Sequence, residues 1–294
     1  MLARHGMNAP EESAVAAAAA ASPRSALRTL FNRVAESCDL PPLPAVAMRA
    51  IALARDPNVA SDRLVRVVST DAALAARVVS IACSVRYIRR EPPRTLAAAI
   101  QTVGFQALRR ILIAASARAA YRADDAVAQT LWEHGLATAL AADDLGSLSR
   151  EPRGGGSFIA GLMHDIGKLV LHLSDSRRFD ALDHEAGARE VEIFGVTHAQ
   201  VGACLAEHWG LEDDVVWAIL AHHDAPEEAP LARRIQLADT IACRIGYGYA
   251  ADSEASDPPS GLLASLGGAA DAATVEEVSR RVLESFEIER ALFA

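Results

Sequence analysis

The stretch Gly161-Leu-Met-His-Asp-Ile-Gly-Lys168 sets an imidazole beside a carboxylate, with a lysine three residues further on. Imidazole nitrogen and carboxylate oxygen are together the ligand types of a divalent transition metal, and a nearby ammonium suits an anionic group. Adjacent residues on a helix diverge by about 100°, so His164 and Asp165 share an ion only if their helix turns its polar side to a cleft. Phe158, Ile159, Leu162, Met163, Ile166, Leu169, Val170 and Leu173 repeat with the helical period and form one broad apolar stripe. His164, Asp165, Lys168 and His172 fall opposite it, as on one continuous amphipathic helix. Taken alone, that polar side is explained more simply as a solvated face.

Four other segments supply the same residue types. His134 lies in Leu131-Trp-Glu-His-Gly-Leu-Ala-Thr138, opposite Trp132 and Leu136, and its small neighbours Ala137, Thr138 and Ala141 admit a second helix closely. Thr197-His-Ala-Gln200 is a capping-box pattern that puts His198 in the first turn of a helix, on the side of Val201, Leu205 and Trp209, with Gly210 placed to end it. A helix from about Asp213 leads to His222-His223 before Pro226; His223 continues its apolar stripe and His222 borders it. Asp239 sits at the margin of the apolar face Leu231, Ile235, Ala238, Ala242 and Ile245, with no Lys or Arg three or four residues away. A metal would supply the missing positive charge. His134, His164, Asp165, His198, His222, His223 and Asp239 are thus seven candidate ligands on five helices, enough for one or two ions. The donor types fit Fe, Mn, Zn or Ni, and a pair of ions suits attack of an activated water on a phosphoryl group.

The elements that must position these residues are all helical. The chain of 294 residues is half apolar and 5% aromatic, with abundant alanine and no sustained period-two alternation. A net charge of −9 argues against a general nucleic-acid-binding surface. Cys38, Cys83, Cys204 and Cys243 are widely spaced, as expected of small buried residues in a reducing cytoplasm. No run is apolar enough to be expected to span a membrane, and the alanine-rich segment before residue 25 follows Glu11 and Glu12 rather than basic residues.

Ser25, Ser61, Asp71 and Thr95 are candidate helix caps, Leu40-Pro-Pro-Leu-Pro44 is a break, and Gly104 is expected to end a helix. Eight of the nine histidines follow residue 126. The organisation expected is an all-α, two-lobed protein: a disordered tail over 1–24, an N-terminal helical lobe over 25–122, a metal-site lobe over 126–250, and over 251–294 a linker with a C-terminal helix packed on the body.

His134, His164-Asp165 and Asp239 resemble the mononuclear core of the HD superfamily of metal-dependent phosphohydrolases. His198, His222 and His223 are similar to the additional ligands of its HD-GYP members, which cleave cyclic dinucleotides, and Lys168 to the phosphate-binding lysine of the His-Asp-Ile-Gly-Lys motif. Leu40-Pro-Pro-Leu-Pro44, the 71–84 helix with Arg77, Thr95–Gly104, Val201–Leu211 and Ala218–His223 resemble instead the HDOD proteins, with their HD-related output domain. Asp224-Ala-Pro226 stands where HD-GYP proteins carry Gly-Tyr-Pro, and Gly246-Tyr-Gly-Tyr249 comes too late to replace it. Ala72 and Cys83 stand where HDOD sequences usually have Pro and Asn.

The HDOD resemblance implies a bacterial, cytoplasmic signalling protein that acts through protein partners and retains a metal site. The HD resemblance implies a phosphohydrolase in which Lys168 neutralises the phosphate and Asp165 stands at the reacting centre. A third reading is a module that senses a nucleotide or cyclic dinucleotide without turnover. Arg86, Arg89 and Arg90 would then offer an anion or acidic-partner surface, although a solvated loop explains them as well.

Overall fold

The computed structural model of the chain describes residues 45–54, 56, 59–84, 87, 91–148, 156–182, 187–249 and 272–293. The tail, the Ser25 cap, the Leu40–Pro44 break, Arg86, Arg89 and Arg90, and the linker over 251–261 lie outside them. All regular structure among the described residues is helical, as composition predicts.

Four helices come first: α1 (Ala45–Ala54), α2 (Ser61–Val68), α3 (Ala72–Ala82) and α4 (Leu96–Arg118). Asp71 caps α3 by accepting from Leu74 N at 3.0 Å, and Thr95 caps α4 by accepting from Ala98 N at 3.1 Å. Ser61 does not cap α2; it is the first helical residue, and Ala60 precedes it without a side-chain cap. Gly104 breaks α4 with φ 77°, ψ 166°, a conformation that glycine adopts without the penalty a Cβ would bring. By length and composition α4 passes as a membrane span. That break interrupts it, and Leu108, Ile111, Leu112 and Ile113 are buried against neighbouring helices, so it is a core helix here.

The ligand-bearing helices follow: α5 (Ala126–Leu148), α6 (Gly156–Met163), α7 (Ile166–Ser174), α8 (Ser176–Asp180), α9 (Ala188–Phe194), α10 (His198–His208), α11 (Asp213–Ala221) and α12 (Pro230–Ala242). A π-helical turn, Cys243–Tyr247, extends α12, and α13 (Ala272–Phe293) returns over the body. The predicted capping box of α10 is present, Thr197 Oγ1 accepting from Gln200 N and the Gln200 side chain accepting from Thr197 N. Gly210 ends α10 at φ 66°. Helix α11 stops at Ala221, ahead of Pro226, which leaves His222 at its C-cap.

The single amphipathic helix expected across 156–174 is two helices. Asp165 takes φ −103°, ψ 9°, outside the helical region, and serves as the N-cap of α7. Nor is the polar side solvated: His164, Asp165, Lys168 and His172 are all buried, whereas Leu173, assigned to the apolar stripe, is 47% exposed.

Close backbone approach makes this burial possible. A Cβ on Gly161 would lie 2.8 Å from Ala139 Cα, so α6 and α5 touch main chain to main chain. A Cβ on Gly167 would lie 1.9 Å from the His198 carbonyl oxygen, so α7 and the start of α10 touch likewise.

One hydrophobic core runs from α1 to α13. Arg109 pairs with Glu212, and Arg110 bonds Asp143 at 3.0 Å while its guanidinium lies 4.2 Å from the Phe158 ring centroid. Helix α13 buries Val275, Val278, Val282, Phe286 and Phe293, and the Leu292 carbonyl accepts from Arg77 of α3 at 2.8 Å.

Substituting Gly167→Ala should destabilise the protein by about 3 kcal/mol, because neither backbone it would strike can retreat cheaply. Urea denaturation measures this; a change within about 0.5 kcal/mol would show that α7 and α10 are not packed at backbone contact.

Candidate metal centre

The turn between α6 and α7 resolves the difficulty posed by adjacent residues on one helix. With the chain bent at His164–Asp165, both side chains enter the space enclosed by α5, α10, α11 and α12. All seven sequence-derived candidates meet there, in two groups that share Asp165.

On one side, His134 Nε2 lies 3.1 Å from His164 Nε2, 3.4 Å from Asp165 Oδ2 and 3.2 Å from Asp239 Oδ1. His164 Nε2 lies 3.6 Å from Asp165 Oδ2 and 3.8 Å from Asp239 Oδ1. On the other side, Asp165 Oδ1 is 3.3 Å from His198 Nε2 and 3.6 Å from His222 Nε2. His223 Nε2 approaches His198 Nε2 to 2.8 Å. Asp165 therefore turns one oxygen to each group.

The Nδ1 partners set which nitrogen each ring turns to the centre. His134 Nδ1 donates to the Tyr247 carbonyl, His164 Nδ1 to the Gly161 carbonyl and His222 Nδ1 to the Ile219 carbonyl, each at 2.7 Å. A carbonyl only accepts, so Nδ1 carries a proton in each ring and Nε2 is the nitrogen turned to the centre. His198 Nδ1 donates to both Glu190 oxygens, at 2.7 and 2.8 Å, with the same result. Nε2 atoms and carboxylate oxygens thus crowd into one buried space, and Asp165 Oδ1 has no hydrogen-bond partner.

Atoms bound at about 2.0–2.1 Å to one tetrahedral ion lie roughly 3.3 Å apart. The observed separations cluster around that value. The donors present fit a divalent transition metal on each side of Asp165.

The protonation equilibria respond to the same crowding. Burial opposes charge on His134, but hydrogen bonds to Asp165 and Asp239 outweigh it and raise its pKa to about 10. Burial, with the neighbouring charges of His134 and His222, lowers His164 to about 4, although Asp165 and Asp239 pull upward. Burial alone would raise Asp165, yet Lys168, His164, His134 and His222 hold it well below the ordinary carboxylate range. A proton on His134 stands in for positive charge that a metal would bring.

Exposure within the centre differs from the sequence expectation in one respect. His222, the C-cap of α11, is buried and His223 is exposed, although His223 continues the apolar stripe in the sequence. The side chain of Asp239 is 25% exposed, and it and His223 mark the open edges. Lys168 Nζ lies 2.9 Å from Asp165 Oδ2, so it grips the shared carboxylate from the first turn of α7. His172 is not part of the centre; its Nε2 bonds Asp125 Oδ2 at 2.7 Å.

Three participants escaped sequence reasoning. Glu190, buried on α9, also accepts from His198 N at 2.8 Å, and nothing in Ala188-Arg-Glu-Val-Glu192 separates it from exposed Glu192. Tyr247 acts through its carbonyl, which no side-chain pattern reveals, and its ring stacks on Phe286 of α13 with centroids 3.9 Å apart. Cys243, read as a buried filler, sits beside Asp239; its spacing of four residues from that carboxylate was the available signal.

A family model for the HDOD domain matches residues 40–225. An uncharacterized protein of Treponema pallidum is 25% identical over 213 residues, which make up 68% of this chain and 42% of that protein. Ribonuclease Y of Oleidesulfovibrio alaskensis is 37% identical over 84 residues, 28% of this chain and 12% of the enzyme. The chain thus spans less than half the length of these curated relatives.

Among solved structures, an HDOD domain protein of unknown function from Geobacter sulfurreducens superimposes with a TM-score of 0.69 at 24% identity, covering 92% of this chain and 98% of that one. A candidate signal transduction protein from Marinobacter aquaeolei gives 0.73 at 24% identity, over 92% of this chain and 66% of that one. A candidate phosphohydrolase from Shewanella amazonensis gives 0.67 at 21% identity, over 90% and 98%. At these identities the likeness is one of fold.

Glu190→Gln removes the charge behind His198 while keeping the size. The expected result is a loss of roughly tenfold or more in affinity for one of two bound ions, the other being unaffected, as seen when outer partners of ligating histidines are changed. Competition with a chelator, read by metal analysis, checks it; unchanged affinity for both ions would remove Glu190 from the site.

Proposed function

The chain belongs to the HDOD domain family, and from that premise we propose that it is a signalling protein whose helices α5 to α12 hold a two-ion centre that hydrolyses a small phosphoester. The observation that carries this reading is the placement of Asp165, with Oδ2 toward His134 and His164 and the unpartnered Oδ1 toward His198 and His222. A carboxylate so placed is suited to bridge two ions. Bound there, the ions would supply Lewis acidity to a phosphoryl oxygen and to water.

The protein's own groups do the positioning. Glu190 and three carbonyls hold the imidazoles in the tautomer that ligates. Lys168 keeps Asp165 ionised and sets a positive charge beside the bridging oxygen, where an entering phosphate would share it. The exposed His223 and the partly exposed Asp239 stand on the side from which a substrate would enter.

A net charge of −9 disfavours long nucleic-acid polymers and favours a nucleotide or similarly small substrate. Ribonuclease Y, a relative over a short stretch, bears the name of an enzyme that cuts RNA, and a phosphodiester is within the chemistry proposed here. Asp224-Ala-Pro226 in place of Gly-Tyr-Pro directs the assay to nucleotides and phosphomonoesters as well as cyclic dinucleotides.

One observation favours a second reading, a regulator that binds signalling proteins and keeps its ions for structure. Lys168 is only 5% exposed and already paired with Asp165, so phosphate must compete for it.

A panel of phosphomonoesters, nucleotides and cyclic dinucleotides, tested on Mn- or Fe-loaded protein, separates the readings. The enzyme reading expects turnover in the wild type that falls at least about a hundredfold in Asp165→Ala. Two bound ions without turnover would support the regulator, and saturable nucleotide binding without turnover a sensor. Protein that binds no ion overturns the metal centre.

A further inference from the structure

One donor atom at the centre belongs to none of the seven residues discussed so far. Cys243 follows Asp239 by four residues, one helical turn, where α12 gives way to the π-helical turn. Its Sγ lies 3.7 Å from Asp239 Oδ1, which lies 3.2 Å from His134 Nε2, and a ligand atom of each residue falls within 4.8 Å of the other two.

These separations fit one coordination sphere. With metal–sulfur bonds of about 2.3 Å and metal–oxygen or metal–nitrogen bonds of about 2.0–2.1 Å, tetrahedral geometry sets sulfur about 3.5 Å from oxygen and nitrogen about 3.3 Å from oxygen. The structure matches both edges to within a few tenths of an ångström. A thiol hydrogen bond to Asp239 accounts for the first separation and a His134–Asp239 hydrogen bond for the second, whereas one ion would account for both at once.

The need for a cation at this end does not depend on the cysteine. His134 and His164 are both buried, both donate Nδ1–H to carbonyls, and turn their Nε2 atoms to each other at 3.1 Å, beside the carboxylates of Asp165 and Asp239.

We propose that Cys243 is a thiolate ligand on the Asp239 side of the centre, making the ion there a mixed nitrogen, oxygen and sulfur site. This inference rests on the metal-centre reading above. As the metal–sulfur bond forms, the S–H bond breaks and its proton passes to solvent. A sulfur donor favours Zn, Fe(II) or Co(II) over Mg or Mn, so it would bias which ion this side accepts.

The full chain loaded with Co(II) gives a test independent of turnover. Visible d–d bands report cobalt in the site whatever its ligands; a near-ultraviolet sulfur-to-cobalt charge-transfer band reports a thiolate. The proposal expects both in the wild type, with the charge-transfer band lost in Cys243→Ser and kept in Cys83→Ser and Cys204→Ser. Circular dichroism checks that each variant is folded.

Cobalt d–d bands without the charge-transfer band would overturn the cysteine's role and leave the metal centre standing, as would a charge-transfer band that survives in Cys243→Ser. Absence of any cobalt spectrum would overturn the metal-centre reading itself, and this proposal with it.

Discussion

The structure depends on one constraint: the Nε2 atoms of four imidazoles and the oxygens of two carboxylates are packed together in one largely buried space. In water such groups would be solvated separately. Here His134 and His164 bring Nε2 atoms to 3.1 Å, and Asp165 is held by the interior at 4% exposure with one oxygen unpartnered. Burying polar atoms in this way is costly unless a cation satisfies them. A metal ion on each side of Asp165 would turn that electrostatic liability into an interaction holding α5, α6, α7, α10, α11 and α12 around one point.

Much of the architecture serves to maintain that arrangement. The bend between α6 and α7 sends His164 and Asp165 the same way, and the close approaches at Gly161 and Gly167 bring the ligand-bearing helices within reach of one another. Helix α13 reaches the centre at second hand. Phe286 stacks on Tyr247, whose carbonyl fixes the His134 ring, while Phe293 packs edge-on against Trp132 and Arg290 pairs with Glu133, two residues and one residue before His134. Arg77 holds the far end of α13, so α3 is linked through α13 to the surroundings of His134, a candidate ligand some distance away.

Residue chemistry was the part of the site most legible in the sequence. Histidine and aspartate are rare enough in helix interiors for five segments carrying them to stand out, and the structure gathers all seven residues. Local signals with a one-to-one physical meaning also carried over, as the capping box at Thr197 and the break at Gly104 show. Periodicity failed where the backbone left the helix. The stripe from Phe158 to Leu173 is compatible with one helix or with two that share a core, and only tertiary packing makes Asp165 a cap. At His222-His223 periodicity showed that one imidazole would be buried, and the structure buries the one that borders the stripe. Supporting groups were the least legible, because a main-chain carbonyl such as that of Tyr247 has no sequence signature and Glu190 gains meaning only when α9 is laid beside His198.

The central claim is that the protein is built around two ions sharing Asp165. Anomalous diffraction from crystals of metal-loaded protein, collected on either side of the metal's absorption edge, tests it most directly. The account predicts two anomalous peaks about 3.5–4 Å apart, one bounded by His134, His164 and Asp239, the other by His198, His222 and His223, with Asp165 between them. A single peak away from Asp165, or none at full metal saturation, would contradict it.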